Sequence, residues 1–347
     1  MSRNVTSSAS RRLSVGTDSR IAASIASPWW RFGLMAYGHV DGLFRCDERS
    51  GPVAARRRRR SDRCGVRRTA NFAGMDLRTV RTELVGSTCV ITLSRPDRHN
   101  AWTGRMHTEY RWVLQRAEAD RTVKVIVVTG DPKGGAFCVG ADADALSGHI
   151  AAGGYVPGTP DDIALPGYGV NPAFDADFAY HFGLTKPVIA AVNGAAAGVG
   201  LVLACYADIR FAAAGAKLTA VHGKLGLAAE YGLSWLLPRL IGLGRANDLL
   251  LTSRVVLAEE ALEMGLVNSV VPADDLMAHV HSWIDEFLGP VARSSLAATR
   301  RQVYTDLHID AASSVHEARR LLDVHMAGPE FTEGVTALRE RRPPVFP

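Results

Sequence analysis

Two segments of the chain, GGAFCVGAD (134–142) and GAAAGVG (194–200), are crowded with small residues, and each follows an apolar run. Small side chains let backbone amides approach a ligand closely. An N–H at the start of a helix is also well placed to face negative charge. Two such amides converging on one oxygen make an oxyanion hole. An acyl thioester needs that device when its carbonyl becomes an enolate. Either segment alone would more often be a structural turn.

Amides can converge only if rigid elements hold them. VKVIVVTG (123–130) and KPVIAAVNG (186–194) are mostly apolar, as strands covered on both faces are. Residues 80–94 predict a hairpin turning near Gly86 and stopped by Pro96. Met106, Tyr110, Val113, Leu114 and Ala117 recur at helical spacing and predict a helix over 104–119. Residues 194–213 read as glycine turn, helix and strand. Residues 147–175 are rich in Gly, Pro and Asp and predict a loop over the site. From Gly232 onward the pattern is mostly helical, closing with helices near 273–288, 292–306, 310–326 and 328–341. Strands alternating with helices, then helices alone, give an α/β core over 75–275 and a helical part over 276–347.

At 347 residues the chain allows one large domain or two smaller ones. Hydrophobic residues make up 47% and charged residues 22%, an ordinary globular profile. No apolar run reaches the length of a membrane-spanning helix. The five cysteines form no CxxC pair, which argues against a zinc site or a disulfide framework. It favours a reducing, cytoplasmic setting. The net charge of +5 is local: residues 1–74 hold 15 Arg against 5 acids, and the remainder holds 25 basic and 30 acidic residues. A slightly acidic body predicts neither nucleic-acid nor membrane binding.

Residues 1–74 read as a disordered Arg- and Ser-rich extension, with five arginines in a row from Arg56 to Arg60. The first reading is a flexible tail or an over-long start, with Met75 as the alternative first residue. The second is a transit peptide in residues 1–31, which would make the setting mitochondrial. The third, nucleic-acid or anionic-membrane binding through the Arg run, ranks last for want of interleaved aromatics.

Six segments carry a resemblance: SRPDRHNA (94–101), VIVVTG with GAFCVGAD (within 125–142), KPVIAAVNGAAAGVGL (186–201), ADIRFAA (207–213), GLSWLLPRLIG (232–242) and LTSRVVLAEEALEMGLVNSVVP (251–272). In this order they resemble the enoyl-CoA hydratase/isomerase (crotonase) family, over about residues 78–345. The resemblance implies a spiral of ββα units with a C-terminal helical part that builds trimers or hexamers. It implies an acyl-CoA thioester as substrate, and no metal or cofactor beyond the coenzyme A of that substrate. The oxyanion amides fall on Val139 and Val199, the latter between Gly198 and Gly200. The backbone around Arg98–Ala101 and Ala141–Asp142 would line the coenzyme A path. Arg98 would face a phosphate or solvent, and the Asp142 side chain would be structural.

Hydratases of this family use two glutamates to hold water and return a proton. Here those positions fall on Val202 and His222, and a valine can do neither. Glu230, in GLAAEYG, stands where several isomerases of the family carry their working carboxylate. A carboxylate in apolar surroundings has a raised pKa and can move protons near neutral pH. One such group suffices for isomerisation, taking a proton from C2 and returning it at C4. The bland reading of Glu230 is a helix N-terminal residue favoured by the dipole. His222 either pairs with Glu230 as a general base, as in diketone-cleaving hydrolases of the family, or packs beside the acyl pocket. The resulting expectation is double-bond isomerisation. The alternatives are hydration, a His222/Glu230 hydrolase and a non-catalytic acyl-CoA binder.

Overall fold

The computed structural model describes residues 67–69, 76–153 and 172–346, all within one compact unit, Arg63–Pro347. β1 (Arg67–Thr69) adds antiparallel to β2 (Val80–Val85), so three residues of the expected extension form an edge strand. The rest of the stretch before Asp76, with its Arg run, lies outside the described residues. β2 and β3 (Thr88–Leu93) form the expected hairpin, with Gly86 at φ +59 in the turn. α1 (Gly104–Ala119) starts where Thr103 accepts the Met106 N–H, and its five periodic apolar residues are all fully buried.

α1 carries the chain across to β4 (Val125–Gly130), parallel to β3. There follow β5 (Ala136–Cys138), α2 (Ala143–Ala152), β6 (Val188–Val192), β7 (Ala195–Ala197), α3 (Val199–Cys205), β8 (Ile209–Ala213) and β9 (Lys217–Thr219). α4 (Leu233–Ile241), α5 (Leu243–Thr252), β10 (Val256–Leu257), α6 (Ala258–Glu263) and β11 (Ser269–Val271) complete the core. The larger sheet has the order β1-β2-β3-β4-β6-β8-β11 and the smaller one β10-β9-β7-β5. Three times a strand of the larger sheet is followed by one of the smaller: β4 then β5, β6 then β7, β8 then β9. This is the expected spiral of repeated units.

Both faces of the larger sheet are covered, which explains its continuous apolar runs. Val125, Val127, Ile189, Ala191 and Phe211 pack with Leu276 and Val280 of α7 (Leu276–Trp283). Ile126, Val128, Val188 and Ala190 face the main core with Met106 of α1 and Leu203 of α3. The C-terminal helices are α8 (Arg293–Asp306), α9 (Ala311–Met326) and α10 (Pro329–Glu340). No helix among the described residues is long and apolar enough to cross a membrane.

One boundary differs. Helix α2 runs over 143–152 and takes up residues 147–152 of the predicted loop, because its alanines and Leu146 favour a helix more than Gly148 opposes it. Residues 154–171 of that loop lie outside the described residues, and Pro172–Phe174 form a short 3-10 turn.

α8 is fastened to the core by Arg300. Its Nε donates to Asp208 Oδ2 at 2.9 Å, Nη2 to the His181 carbonyl at 2.6 Å and Nη1 to the Leu184 carbonyl. Asp208 also accepts the Val188 N–H at 2.6 Å and the Tyr304 hydroxyl. Both members of the ion pair are largely buried. Removing one partner of such a pair costs about 3–5 kcal/mol, because the other charge is left uncompensated. Arg300→Met should therefore lower unfolding free energy by that order, read from the urea midpoint.

Candidate active site

The glycine segments begin where β4 and β6 end. The two exits are tied together: Gly130 N–H donates to Asn193 Oδ1, and Asn193 Nδ2 donates to the Gly130 carbonyl, both at 3.0 Å. Asn100 holds the first segment from the side. Its Nδ2 donates to the carbonyls of Asp131 (3.1 Å) and Ala136 (2.8 Å), and its Oδ1 accepts the Arg95 N–H at 3.1 Å. Asn100 is fully buried and has φ +57, a conformation asparagine tolerates. Nothing in the sequence marks Asn100 for this role. The available signal was a polar amide beside the turn-forming Pro96, with nothing to say where its donors point.

The two segments meet backbone to backbone. A Cβ at Gly200 would stand 2.0 Å from the Cys138 carbonyl oxygen, and one at Gly140 (φ +99) 3.0 Å from that of Ala197. Only glycine fits such approaches. The turn carrying Val139 is clamped by the Trp102 N–H on the Gly140 carbonyl (2.8 Å) and by the Asp142 N–H on the Trp102 carbonyl (2.9 Å). Val199 opens α3, and the N–H of a first helical residue has no acceptor inside its helix. Val139, exposed at 37%, lies just beyond the end of β5.

Glu230 stands at this junction. A Cβ at Gly198 would lie 3.8 Å from Glu230 Oε2 and 3.8 Å from Gly140 Cα. The carboxylate is half-buried. Burial pushes its pKa above the usual carboxylate value, and the charge of nearby His222 partly opposes this. Glu230 is not a capping group: α4 begins at Leu233 with Gly232 as its cap, and it is the Glu230 carbonyl that accepts the Leu233 N–H. The residues flanking the acid–base candidates are strained. Val221 (φ 54) precedes His222 and Tyr231 (φ 48) follows Glu230, in a region bulky side chains avoid. The Tyr206 hydroxyl pins this turn by donating to the Tyr231 carbonyl at 2.8 Å.

His222 is buried, and its Nδ1 has no hydrogen-bond partner among the described residues. Val202 is fully buried in α3. The structure thus brings together Val139, Val199, Gly198, Gly200 and Glu230, with His222 close enough to act on Glu230.

The expected coenzyme A path divides into backbone and side chain. Ala101 is buried, and its carbonyl accepts Arg95 Nη1 at 2.8 Å. Ala141 bridges to Trp102. Burial would raise the pKa of Asp142, but hydrogen bonds from Arg95 (2.8 Å) and the Asp144 N–H (2.9 Å), with the charges of Arg95 and Arg98, hold it below the usual range. Its side chain is therefore committed to the fold, and only its backbone remains for a ligand. Arg98 is exposed and pairs with the exposed Asp144 at 3.2 Å. Such pairs are worth about 0–1 kcal/mol, so the guanidinium can turn to another anion at little cost. Among the described residues no group of His, Cys, Asp and Glu is arranged to hold a metal ion.

A family model described as enoyl-CoA hydratase/isomerase matches residues 83–347. The chain is 37% identical over 261 residues to the probable enoyl-CoA hydratase EchA12 of Mycobacterium tuberculosis, covering 74% of this chain and 88% of that one. It is 32% identical over 263 residues to the 1,2-epoxyphenylacetyl-CoA isomerase of Escherichia coli, covering 74% and 93%. A crystal structure of a probable enoyl-CoA hydratase/isomerase from Mycobacterium abscessus superposes with a TM-score of 0.66 at 31% identity, covering 77% of this chain and 98% of that one. By sequence and by fold, the chain belongs to the enoyl-CoA hydratase/isomerase (crotonase) family of enzymes.

Proposed function

We propose that this enzyme isomerises the double bond of an enoyl-CoA. The N–H groups of Val139 and Val199 hold the thioester oxygen. Glu230 takes a proton from C2 and leaves a dienolate whose charge rests on that oxygen. The same carboxylic acid returns the proton at C4, and the double bond moves from C3–C4 to C2–C3. Coenzyme A enters as part of the substrate, past the backbone of Arg98–Ala101 and Ala141–Asp142, and no metal or further cofactor is invoked. The observation that carries the reading is the place of Glu230 Oε2 beside Gly198, where the two glycine segments meet. The raised Glu230 pKa agrees with a proton carrier.

One observation favours a second reading, hydration. The buried, unpartnered Nδ1 of His222 beside Glu230 could hold a water between them. Mass spectrometry and absorbance on a 3-enoyl-CoA and a 2-enoyl-CoA, side by side, separate the two. Isomerisation gives a conjugated product of unchanged mass from the first substrate. Gain of one water on the second, without isomerisation of the first, would replace our reading. His222→Ala should be milder than loss of Glu230.

Assembly completes the proposal. Helices α8–α10 leave Leu322, Val324, Phe331 and Leu338 exposed, lining an apolar groove of about 1030 Å³. We assign this face to a homotrimer or homohexamer, and light scattering on purified protein should read three or six chains. A monomer at micromolar concentration would refute it.

A further inference from the structure

A second cavity, of about 620 Å³, opens at the end of the larger sheet where β3, β4 and β6 begin. The glycine segments lie at the other ends of β4 and β6. A strand of that length spans roughly 20 Å, so the cavity is remote from the acyl site. Four cations line it, Arg121, Lys124, Lys186 and Arg293, against one carboxylate, Glu118.

The bonding of these cations is unusual. Lys124 Nζ donates to the Gly289 carbonyl at 2.7 Å, Lys186 Nζ to that of Asp120 at 2.6 Å, and Arg293 Nη1 to that of Val123 at 2.7 Å. Main-chain carbonyls fix these head groups, yet no carboxylate closes a salt bridge on any of the three among the described residues. Glu118 Oε1 is taken by the Thr185 N–H (2.9 Å) and hydroxyl, and its Oε2 is buried without a partner. Burial pushes the Lys124 ammonium pKa down, the charge of Arg293 adds to this, and the more distant Glu330 carboxylate, which closes no ion pair on it, partly opposes it. Clustered cations in a cleft attract an anion. Lysine has three donors and arginine five, so donors remain for a ligand. The volume exceeds what a bare phosphate needs and falls in the range of small-molecule sites. Leu296, Pro187 and Phe346 add an apolar lining.

We propose that this cavity is a second ligand site, for a phosphate-bearing small molecule, with Arg121, Lys124 and Arg293 meeting the phosphate and Phe346 and Leu296 its apolar part. Inorganic phosphate and AMP are the probes, titrated calorimetrically into the full chain saturated with acyl-CoA, so that the acyl site is filled. At least one probe should bind saturably. Arg121→Glu and Lys124→Gln should each weaken it about tenfold while turnover on acyl-CoA stays unchanged. Tighter binding of AMP would assign the apolar lining to its nucleoside; equal binding would make free phosphate the ligand. Arg121 is exposed and makes no side-chain hydrogen bond or ion pair among the described residues, so its variant remains informative if Lys124→Gln is unstable. No saturable binding of either probe, or binding untouched by both variants, overturns the proposal.

Discussion

Glu230→Gln should lower kcat on a 3-enoyl-CoA by about 10²–10⁴-fold, the usual contribution of a positioned acid–base group. Acyl-CoA affinity should stay within about threefold, because the amides proposed to hold the thioester oxygen come from other segments. The pH dependence follows from the raised Glu230 pKa. The base must be ionised to take the C2 proton. In the wild type, kcat/KM should therefore fall on the acid side with a midpoint above the ordinary glutamate value of 4.5.

The same shift has a stability consequence of definite sign. Folding disfavours the charged form of Glu230, so its contribution is most favourable below the ordinary pKa and declines as pH rises through the raised one. Glu230→Gln should thus melt higher than the wild type at about pH 8, and the difference should vanish near about pH 4. A variant that gains stability where it loses activity is the signature of a site under functional strain. The left-handed backbones of Val221 and Tyr231 point the same way.

Gly200→Ala should be among the most damaging glycine changes in the described residues. The new methyl would stand 2.0 Å from the Cys138 carbonyl oxygen, roughly half an ordinary contact distance. Backbone cannot yield as a side-chain tip can, so α3 must move away from β5. Overpacking of this kind costs about 3 kcal/mol or more. The displacement should also separate the Val139 and Val199 amides, the proposed oxyanion donors, and losing one such donor costs about 10²–10³-fold in kcat. Gly244→Ala is the control: it lies in α5 with nothing within 4 Å of the added methyl. It should stabilise by about 0.5–1 kcal/mol and leave kcat alone. Thermal melts and steady-state assays on both variants check the pair.

The parts of the fold legible in the sequence were those long enough to show a period or a composition. β4 and β6 read as continuous apolar runs because the sheet is covered on both sides, and α1 read from five residues on one face. The second sheet is not legible in the residues themselves; only the resemblance, with its ββα units, implies it. Its strands β5, β7, β9 and β10 have two or three residues each, too few to alternate, and pairing across the spiral alone defines them. The glycine segments were legible as a device, since small residues advertise close approach. That Gly140 faces Ala197, and Gly200 faces Cys138, is a property of the spiral. The acid was the hardest part. Glu230 lies far along the chain from either amide, and its place came from the family resemblance; the fold then set its carboxylate beside Gly198. Asn100 and Arg300 are illegible in the sequence for a common reason. Their work is to bond main-chain carbonyls of distant segments, and a sequence does not say which carbonyls those are.

Proton exchange at C2 tests the central claim most directly. A saturated acyl-CoA has no double bond to move, yet the same amides and the same carboxylate should form its enolate. Incubated with enzyme in heavy water, it should acquire deuterium at C2 with the wild type, read by mass spectrometry or proton NMR. With Glu230→Gln, exchange should drop to the uncatalysed rate while binding persists. Exchange that continues undiminished in that variant would contradict the account and move the proton to another group, with His222 the first to examine.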